Sequence, residues 1–290
     1  MSRLDASWDT HAGATRGQNE DAICGTAPDF PEADARGTLF IVADGMGGHN
    51  AGEIASNQAI QSIYQRYYAD ADPDIHRSLD NAIRWTNAAL YQQAQSEVAQ
   101  HGMGTTLTAA VIAGSHLSVA HVGDSRLYLL RDGKLEQVTQ DHSWVEEQVQ
   151  AQVLTRAQAE SHPQRNIITR ALAAEPDVRV DHFDRDLMAG DIVILCSDGL
   201  STEVEEGQLA ALATQASSAR EAVQALIGCA NANGRRDNVA VAVIRLTNER
   251  APAKRAWPRF RLPALLLLAA IVAVTILLLV VLALVAGQIR

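Results

Sequence analysis

The chain has 290 residues, of which 47% are hydrophobic and 20% are charged, so it can bury a sizeable core. These proportions exclude a disordered or collagen-like chain. The net charge is −10, and it is unevenly spread: six basic residues face one acid from residue 249 onward, giving this part +5 and residues 1–248 −15. Because binding to phosphate backbones needs clustered Lys and Arg, we expect no nucleic-acid partner.

Strands are predicted where short runs of β-branched or apolar residues recur. In chain order these runs are 39–43, 105–113, 117–122, 127–130, 192–196 and 239–246. Apolar residues at helical spacing predict long helices over about 54–67 and 75–90, and two further helices over 205–214 and 219–231. Strands in clusters and helices in clusters indicate an α+β fold rather than a regular βαβ alternation.

The C-terminal part predicts a membrane anchor. Residues 248–261 contain two prolines and several basic residues, typical of a linker, and residues 262–286 are 25 residues without a charge. A helix of that length crosses a hydrocarbon core of ~30 Å, with membrane lipid around it. Basic residues precede the segment, and only Arg290 lies in the short tail 287–290, so the positive-inside rule predicts residues 1–261 in the cytoplasm. We expect a single-pass protein of the inner (cytoplasmic) membrane.

Two other features agree with a cytoplasmic body. The three cysteines, Cys24, Cys196 and Cys229, are odd in number and far apart, which is not a disulfide framework and favours a reducing compartment. The first 13 residues contain no apolar stretch as long as that of a signal peptide, so we expect the body not to be exported.

Acidic residues lie at the ends of the predicted strands. Asp44-Gly45, Asp124 and Asp198-Gly199 each follow a strand, Asp237-Asn238 precedes the last one, and Glu20-Asp21 lies near the N-terminus. A single Asp-Gly after a strand is usually a turn. Several carboxylates at one sheet edge would repel one another unless a cation neutralised them. Oxygen ligands without His or Cys favour Mg²⁺ or Mn²⁺ over zinc.

Other ligand-binding motifs fit the sequence poorly. Residues 70–81 imitate the start of an EF-hand, but the sixth position is Ile75 rather than glycine and the twelfth is Asn81 rather than glutamate, so we expect the start of a helix there. The sequence has no GxxxxGK[ST] motif, which excludes a P-loop ATPase.

With these residues in view, the sequence resembles the metal-dependent serine/threonine protein phosphatases of type 2C in their bacterial form. The matching segments, in the family's order, are RGQNEDA (16–22), VADGMGG (42–48), GTT (104–106), VGDSR (122–126), TQDHS (139–143), NIITRAL (166–172), LCSDGL (195–200) and DNV (237–239). They predict a catalytic domain over residues 1–247. The resemblance implies a central sandwich of two antiparallel β-sheets flanked by α-helical layers, with the metals at one end.

The resemblance also implies a role for each acid. It makes Asp44 the bridge between two Mn²⁺ or Mg²⁺ ions and gives Gly45 a ligating carbonyl. Asp198 and Asp237 complete one ion, and Glu20 or Asp21 serves the other directly or through water. Asp124 belongs to a third, weaker site shared with Asp198, and Arg16 grips the phosphate with its planar guanidinium.

The mechanism expected of such a site is hydrolysis without a phospho-enzyme. Two cations roughly 3.5–4 Å apart acidify a bridging water, and the resulting hydroxide attacks phosphorus in line. Animal relatives have a histidine directly after the Asp-Gly, where this chain has Met46, so His49 and a metal-bound water are both candidate general acids. We expect His142 to order its loop, residues 144–179 to contact substrate, and Ala173, where relatives usually have glycine, to leave activity intact.

The predicted function is therefore a membrane-anchored phosphatase that hydrolyses phosphoserine and phosphothreonine in proteins. Its expected partners are phosphorylated proteins, with membrane-bound serine/threonine kinases or their substrates as the natural candidates. The alternative is a catalytically silent module of the same fold that binds phosphoproteins. The presence of the metal-site aspartates and of Arg16 favours the enzyme.

Overall fold

Two antiparallel sheets form the centre of the protein in this computed structural model, which describes residues 3–26, 36–48, 50–234 and 237–247. The first sheet has the order β1 (Arg3–His11), β11 (Val239–Thr247), β10 (Ile192–Cys196), β7 (Arg126–Arg131) and β8 (Lys134–Gln137). The second has the order β2 (Asp21–Gly25), β3 (Thr38–Met46), β5 (Leu107–Ala113), β6 (His116–Val122) and β9 (Asp181–Asp186), and the short β4 (Gly104–Thr105) pairs with the end of β3.

The described residues form seven α-helices, of which the first two and the last three pack on the outer faces of the sheets. In chain order they are α1 (Ala51–Ala69), α2 (Ile75–Ser96), α3 (Trp144–Gln150), α4 (Arg156–Glu160), α5 (Asp198–Glu203), α6 (Glu206–Gln215) and α7 (Ala219–Asn233). The Asp74 side chain caps α2 by accepting a hydrogen bond from the backbone N–H of Arg77 at 3.0 Å. The aspartates near residue 70 thus begin a helix, as predicted, because an N-cap satisfies one of the free N–H groups of the first turn.

The central strands of each sheet are buried on both faces. Phe40 and Val42 of β3 pack between the two sheets, whereas Leu39, Ile41 and Ala43 pack in the cluster that includes α1 and α2. In β11 the alternation is the same, with one set of residues between the sheets and the other against α5, α6 and α7. Burial on both faces explains why these strands read as continuous apolar runs. The predicted α+β sandwich with helical layers is confirmed.

The elements differ from the prediction at several places. The predicted strand 105–113 is divided into β4 and β5, and α3, α4 and α5 were not predicted. The predicted strand 39–43 continues to Met46, because Gly104 and Thr105 pair with its end and both backbone groups of Asp44 bond to Thr106. The strands β1, β2, β8 and β9 were not predicted, because their residues are largely polar or small; in β9 half-buried and exposed residues alternate.

The predicted linker 248–261, membrane helix 262–286 and tail 287–290 lie outside the described residues, as does His49. Within the described part of the chain, no helix combines the length and apolar character that a bilayer crossing requires.

Candidate active site

Asp44 and Asp21 face each other across neighbouring strands. The register of β2 and β3 pairs the two residues directly. Asp44 is fixed through its backbone, since its N–H donates to Thr106 Oγ1 at 2.9 Å and its carbonyl accepts from the N–H of Thr106 at 2.9 Å. Asp21 is buried, and one of its carboxylate oxygens accepts a hydrogen bond of 2.6 Å from Ser197 Oγ.

Ser197 joins the two sheets at this point. It directly follows β10 of the first sheet, whereas Asp21 begins β2 of the second. Its hydroxyl oxygen also accepts from the N–H of Ala240 at 2.9 Å, and its own N–H donates to the Ala240 carbonyl at 3.0 Å. The next residue, Asp198, opens α5, so the fold brings it to the same end of the sandwich.

Asn238 holds the acidic segment around Glu20 in place. Its Oδ1 accepts from the backbone N–H of Glu20 at 2.8 Å, and its Nδ2 donates to the carbonyls of Ala12 and Gln18 at 2.8 and 2.9 Å. Because Asn238 precedes β11, these bonds also place its neighbour Asp237 beside the Glu20 segment.

The carboxyl groups at this end strongly perturb one another. Burial is the largest cause of the shift in each case: it raises the pKa of Asp21 to about 7 and that of Asp124 to about 8, in both cases with a contribution from Asp198. Burial and then the charges of Asp21, Asp198 and Asp124 raise the pKa of Asp44 well above its usual range. The pKa of Asp198 is raised by burial and then by Asp237. A cation placed among these groups would favour their charged forms.

Backbone oxygens approach the same place. A Cβ on Gly45 would lie 2.1 Å from the carbonyl oxygen of Gly52 and 2.7 Å from that of Glu20, so only glycine fits at position 45. The N–H of Gly45 donates to the Glu20 carbonyl at 3.1 Å. Glycine at position 45 therefore lets the carbonyls of Gly52 and Glu20 come close to its Cα, and the ligating role of its own carbonyl stays a prediction.

The donor set fits hard divalent cations. Oδ1 of Asp124 is buried and has no hydrogen-bond partner among the described residues, although a carboxylate oxygen in that setting needs one. Carboxylate and carbonyl oxygens are the ligands that Mg²⁺ and Mn²⁺ prefer. Among the described residues, no three His, Cys, Asp or Glu side chains are grouped closely enough to hold an ion, so the set of Asp44, Asp198 and Asp237 on one ion stays a prediction.

Arg16 lies at the rim of this cluster. Its guanidinium donates to Asp237 at 2.8 Å, and the side chains are 49% and 39% exposed. The hydrogen bond to Asp237, followed by its charge, raises the pKa of Arg16. An exposed pair of this kind contributes little free energy, so Arg16 can exchange Asp237 for a phosphate at low cost.

Most of the chain matches the model of a known protein family. The family model described as Protein phosphatase 2C matches residues 18–241. The chain belongs to the protein phosphatase 2C family. The recognition made from the motifs is confirmed.

Relatives of this phosphatase 2C chain carry names from the same family. It is 41% identical over 231 residues to the serine/threonine protein phosphatase PstP of Mycobacterium tuberculosis. The matched region covers 80% of this chain but only 43% of that relative. It is 35% identical over 245 residues to the serine/threonine phosphatase Stp of Listeria innocua, covering 83% of this chain and 95% of the relative. The chain thus spans less than half the length of the mycobacterial protein.

Solved structures of phosphatase 2C proteins share the fold. A crystal structure of M. tuberculosis PstP superimposes with a TM-score of 0.75 and 38% identity, covering 85% of this chain and 100% of that one. The structure of the PstP catalytic domain in complex with two manganese ions superimposes with a TM-score of 0.74 and 36% identity. The match covers 86% of this chain and 100% of that one. Two ions are the number expected from the resemblance. The roles of individual residues here stay a prediction.

Several residues that build this phosphatase 2C site were missed in the sequence. Thr106, Ser197 and Asn238 bear no charge and act by positioning an aspartate or its segment. The available signal was position, since Ser197 and Asn238 are direct chain neighbours of predicted ligands and Thr106 belongs to the GTT motif.

His142 orders its loop, as predicted. Its Nδ1 accepts a hydrogen bond of 2.9 Å from the N–H of Gly123, beside Asp124, and its Nε2 lies 3.2 Å from Asp181 Oδ2. Burial and then the charge of Arg170 lower the pKa of His142, which keeps the ring neutral. Nε2 also lies 2.9 Å from Nη1 of Arg170, which in turn donates to Asp181 Oδ1 at 2.8 Å, so the three side chains hold the loop together.

The segment 144–179 contains α3 and α4 and connects the His142 loop to β9. Within it Trp144 stacks against His162 with ring centroids 5.0 Å apart. Ala173 has a left-handed backbone with φ of 65°, a conformation that favours glycine, and its N–H donates to Asn87 Oδ1 at 2.8 Å. That this segment contacts substrate stays a prediction.

Proposed function

We propose that this chain is a metal-dependent phosphatase that hydrolyses phosphoserine and phosphothreonine in proteins. The observation that carries the proposal is the cluster of Asp21, Asp44, Asp124 and Asp198, whose pKa values are all raised at one end of the two sheets. Membership of the phosphatase 2C family and the names of the relatives support the same reaction.

Each metal-site residue has a proposed place. Asp44 would lie between two Mn²⁺ or Mg²⁺ ions, with Asp198 and Asp237 on one of them and Glu20 or Asp21 on the other. The carbonyl of Gly45 would be a further ligand, and Asp124 would hold a third ion together with Asp198. When bound, such cations lower the pKa of a coordinated water, which supplies hydroxide for attack on phosphorus near neutral pH.

The protein's own groups position the reactants. Arg16 binds two oxygens of the phosphoryl group through its planar fork, which orients phosphorus toward the acidic cluster. Thr106 and Ser197 fix Asp44 and Asp21, so the ligands need little rearrangement during the reaction. His49 is a candidate donor of the proton that the leaving serine or threonine oxygen needs.

We further propose that residues 262–286 anchor the protein in the cytoplasmic membrane, with the catalytic domain in the cytoplasm. The uncharged length of this segment and the basic residues before it support the anchor. A tether of about fourteen residues holds the domain near the bilayer and gives membrane-bound substrates a local concentration in about the millimolar range. Membrane-bound serine/threonine kinases or their substrates fit this arrangement.

The reaction is tested by phosphate release from a phosphothreonine peptide with Mn²⁺ or with a chelator. Wild-type protein should release phosphate only with the metal, and Asp44→Asn should release none. Asp132→Asn is the matched control: Asp132 is an exposed residue between β7 and β8 with φ of 50°, a conformation that asparagine adopts readily. Absence of release by folded, metal-loaded wild type would refute the enzyme and favour the phosphoprotein-binding module.

The anchor is tested separately by reconstituting the protein in vesicles with and without residues 249–290. Removal should slow dephosphorylation of a vesicle-bound phosphoprotein far more than that of a soluble phosphopeptide. Equal effects on the two substrates would refute the tethering argument and leave the reaction itself untouched.

A further inference from the structure

A second group of titratable side chains lies away from the acidic cluster, where the first turn of α2 meets β9. His76 Nδ1 and His182 Nδ1 lie 3.0 Å apart, and the ring planes are nearly perpendicular at 84°. Both side chains are reached by solvent, with exposed fractions of 33% and 28%. β9 is the edge strand of the second sheet, so no other described strand pairs with its free edge.

The other nitrogen of each ring faces a carboxylate. His76 Nε2 lies 2.9 Å from both oxygens of Asp184, and His182 Nε2 lies 3.1 Å from Asp80 Oδ1. His76 and Asp80 are four residues apart on α2, which places them on one face of the helix, and His182 and Asp184 share one face of β9. The four side chains therefore form one chain of contacts: carboxylate, imidazole, imidazole, carboxylate.

The two carboxylates are themselves held in place. Asp184 Oδ1 also accepts from Ser118 Oγ at 3.0 Å and lies 3.0 Å from His116 Nε2, and Asp80 Oδ2 accepts from Arg84 Nε at 2.8 Å. Burial alone would raise the pKa of each carboxyl, but the hydrogen bonds lower it below its usual range. Both therefore act as acceptors and require a proton on the Nε2 atom that faces them.

This requirement leaves a conflict between the two Nδ1 atoms. A neutral imidazole with its proton on Nε2 has a lone pair on Nδ1. Two such lone pairs 3.0 Å apart repel each other unless something positive lies between them. A proton would relieve the repulsion by converting one ring to imidazolium, whereas a divalent cation would be bound by both lone pairs at once, with its charge balanced by Asp80 and Asp184.

The geometry fits a metal ion bound by adjacent ligands. An ion ~2.05 Å from each nitrogen would see the two atoms at an angle of about 94°, and the ~109° that tetrahedral Zn²⁺ prefers needs the nitrogens to move apart by only about 0.3 Å. A carboxylate on the far nitrogen of each histidine is the usual arrangement at protein metal centres, because it fixes the tautomer and orients the ring. Imidazole nitrogen selects Zn²⁺, Ni²⁺ or Cu²⁺ over Mg²⁺.

We propose that His76 and His182 form a two-histidine site for a zinc-like divalent cation, with Asp80 and Asp184 as orienting carboxylates. Water fills the remaining coordination positions. The site is separate in chemistry from the acidic cluster, whose oxygen donors prefer Mg²⁺ or Mn²⁺. A bound ion would fasten α2 to β9, the strand that follows the segment 144–179.

The test is a calorimetric titration of the full chain with Zn²⁺, slightly above neutral pH and with Mn²⁺ held at saturation. Wild type should bind one more Zn²⁺ than His76→Gln and one more than His182→Gln. These two residues are solvent-exposed and lie on different elements, so each variant checks the other. His116→Gln is the matched control: it removes a third histidine at Asp184 and should keep the site. Asp80→Asn should keep it with an affinity about 10–100-fold weaker.

A second readout is the melting temperature with and without Zn²⁺. Zinc should raise it in wild type and in His116→Gln, and neither His76→Gln nor His182→Gln should gain that increment. Equal zinc stoichiometry in wild type and both variants would overturn the proposal. Loss of zinc binding in His116→Gln would also overturn it. So would histidine NMR spectra that show a proton shared between His76 and His182 and no change of these signals when Zn²⁺ is added.

Discussion

Replacing Asp44 with asparagine should make the metal-free protein more stable while abolishing its activity. Burial and the charges of Asp21, Asp198 and Asp124 raise the pKa of Asp44 well above its usual range. A carboxyl of this kind holds a proton in the folded state that it releases when the chain unfolds. Stability therefore falls as pH rises from the unfolded pKa, about 3.9, toward the raised folded value. Asparagine has a similar shape and no proton to lose.

The pKa of the neighbouring Asp21 sets the size of the stability gain expected for Asp44→Asn. For Asp21 the pKa rises from 3.8 to about 7, and one pKa unit corresponds to ~1.36 kcal/mol, so its burial costs at most about 4 kcal/mol at neutral pH. Asp44 lies in the same cluster but is only half-buried, and solvent screens part of its interaction energy. We expect Asp44→Asn to gain about 2 kcal/mol in the free energy of unfolding at about pH 8.

Urea unfolding with a chelator, at about pH 6 and about pH 8, measures this gain. Wild type should lose stability across this interval and the variant should lose less; added Mn²⁺ should stabilise wild type strongly and the variant weakly. Asp191→Asn is the contrasting variant. Asp191 is also buried, but it pairs with Arg131 at 2.6 Å and its pKa is lowered, so the substitution should destabilise the protein. An Asp44→Asn protein no more stable than metal-free wild type at about pH 8 would refute the repulsion argument.

Three further substitutions, one of them with a control, test how the site is held. Gly45→Ala places a Cβ 2.1 Å from a backbone oxygen and should cost more than about 3 kcal/mol in urea unfolding, whereas Gly48→Ala, with nothing within 4 Å, should stay within about 1 kcal/mol. Ser197→Ala removes the donor to Asp21 and should cost about 2–4 kcal/mol; a loss under about 1 kcal/mol would contradict that role. His142→Gln retains an acceptor and should leave the pH–rate profile unchanged, since a shifted profile would show that His142 transfers a proton.

The fold could be predicted where burial left a clear pattern. Strands such as β3, β10 and β11 are covered on both faces, so their sequences are uninterrupted apolar runs. The same reasoning fails at the sheet edges. β9 has the sequence DHFDRD, and it is a strand because β6 pairs with it along its whole length rather than because of its composition. Pairing with a strand that is distant in sequence determines such a strand, and the local sequence pattern does not reveal that pairing.

The acids of the site could be predicted for a different reason. Aspartates directly after apolar strands can be recognised in the sequence. In an antiparallel sandwich the strand ends lie together at the two ends of the sheets. Their partners could not be predicted, because a threonine or serine beside a glycine is common in any loop. Only the structure shows that Thr106 binds both backbone groups of Asp44, and that Arg16 pairs with Asp237.

The bond between Ser197 and Asp21 ties the site to the closing of the sandwich. Ser197 belongs to the end of one sheet and Asp21 to the start of a strand in the other, and their 2.6 Å contact is fully buried. Asp21 in turn faces Asp44 across two paired strands. Asp198 follows a strand of the first sheet, so the apolar contact between the sheets brings it close to Asp21 and Asp44 and supplies the free energy that this proximity costs. Metal binding and sheet packing are thus coupled, because a cation that neutralises the cluster removes a force that pushes the two sheets apart.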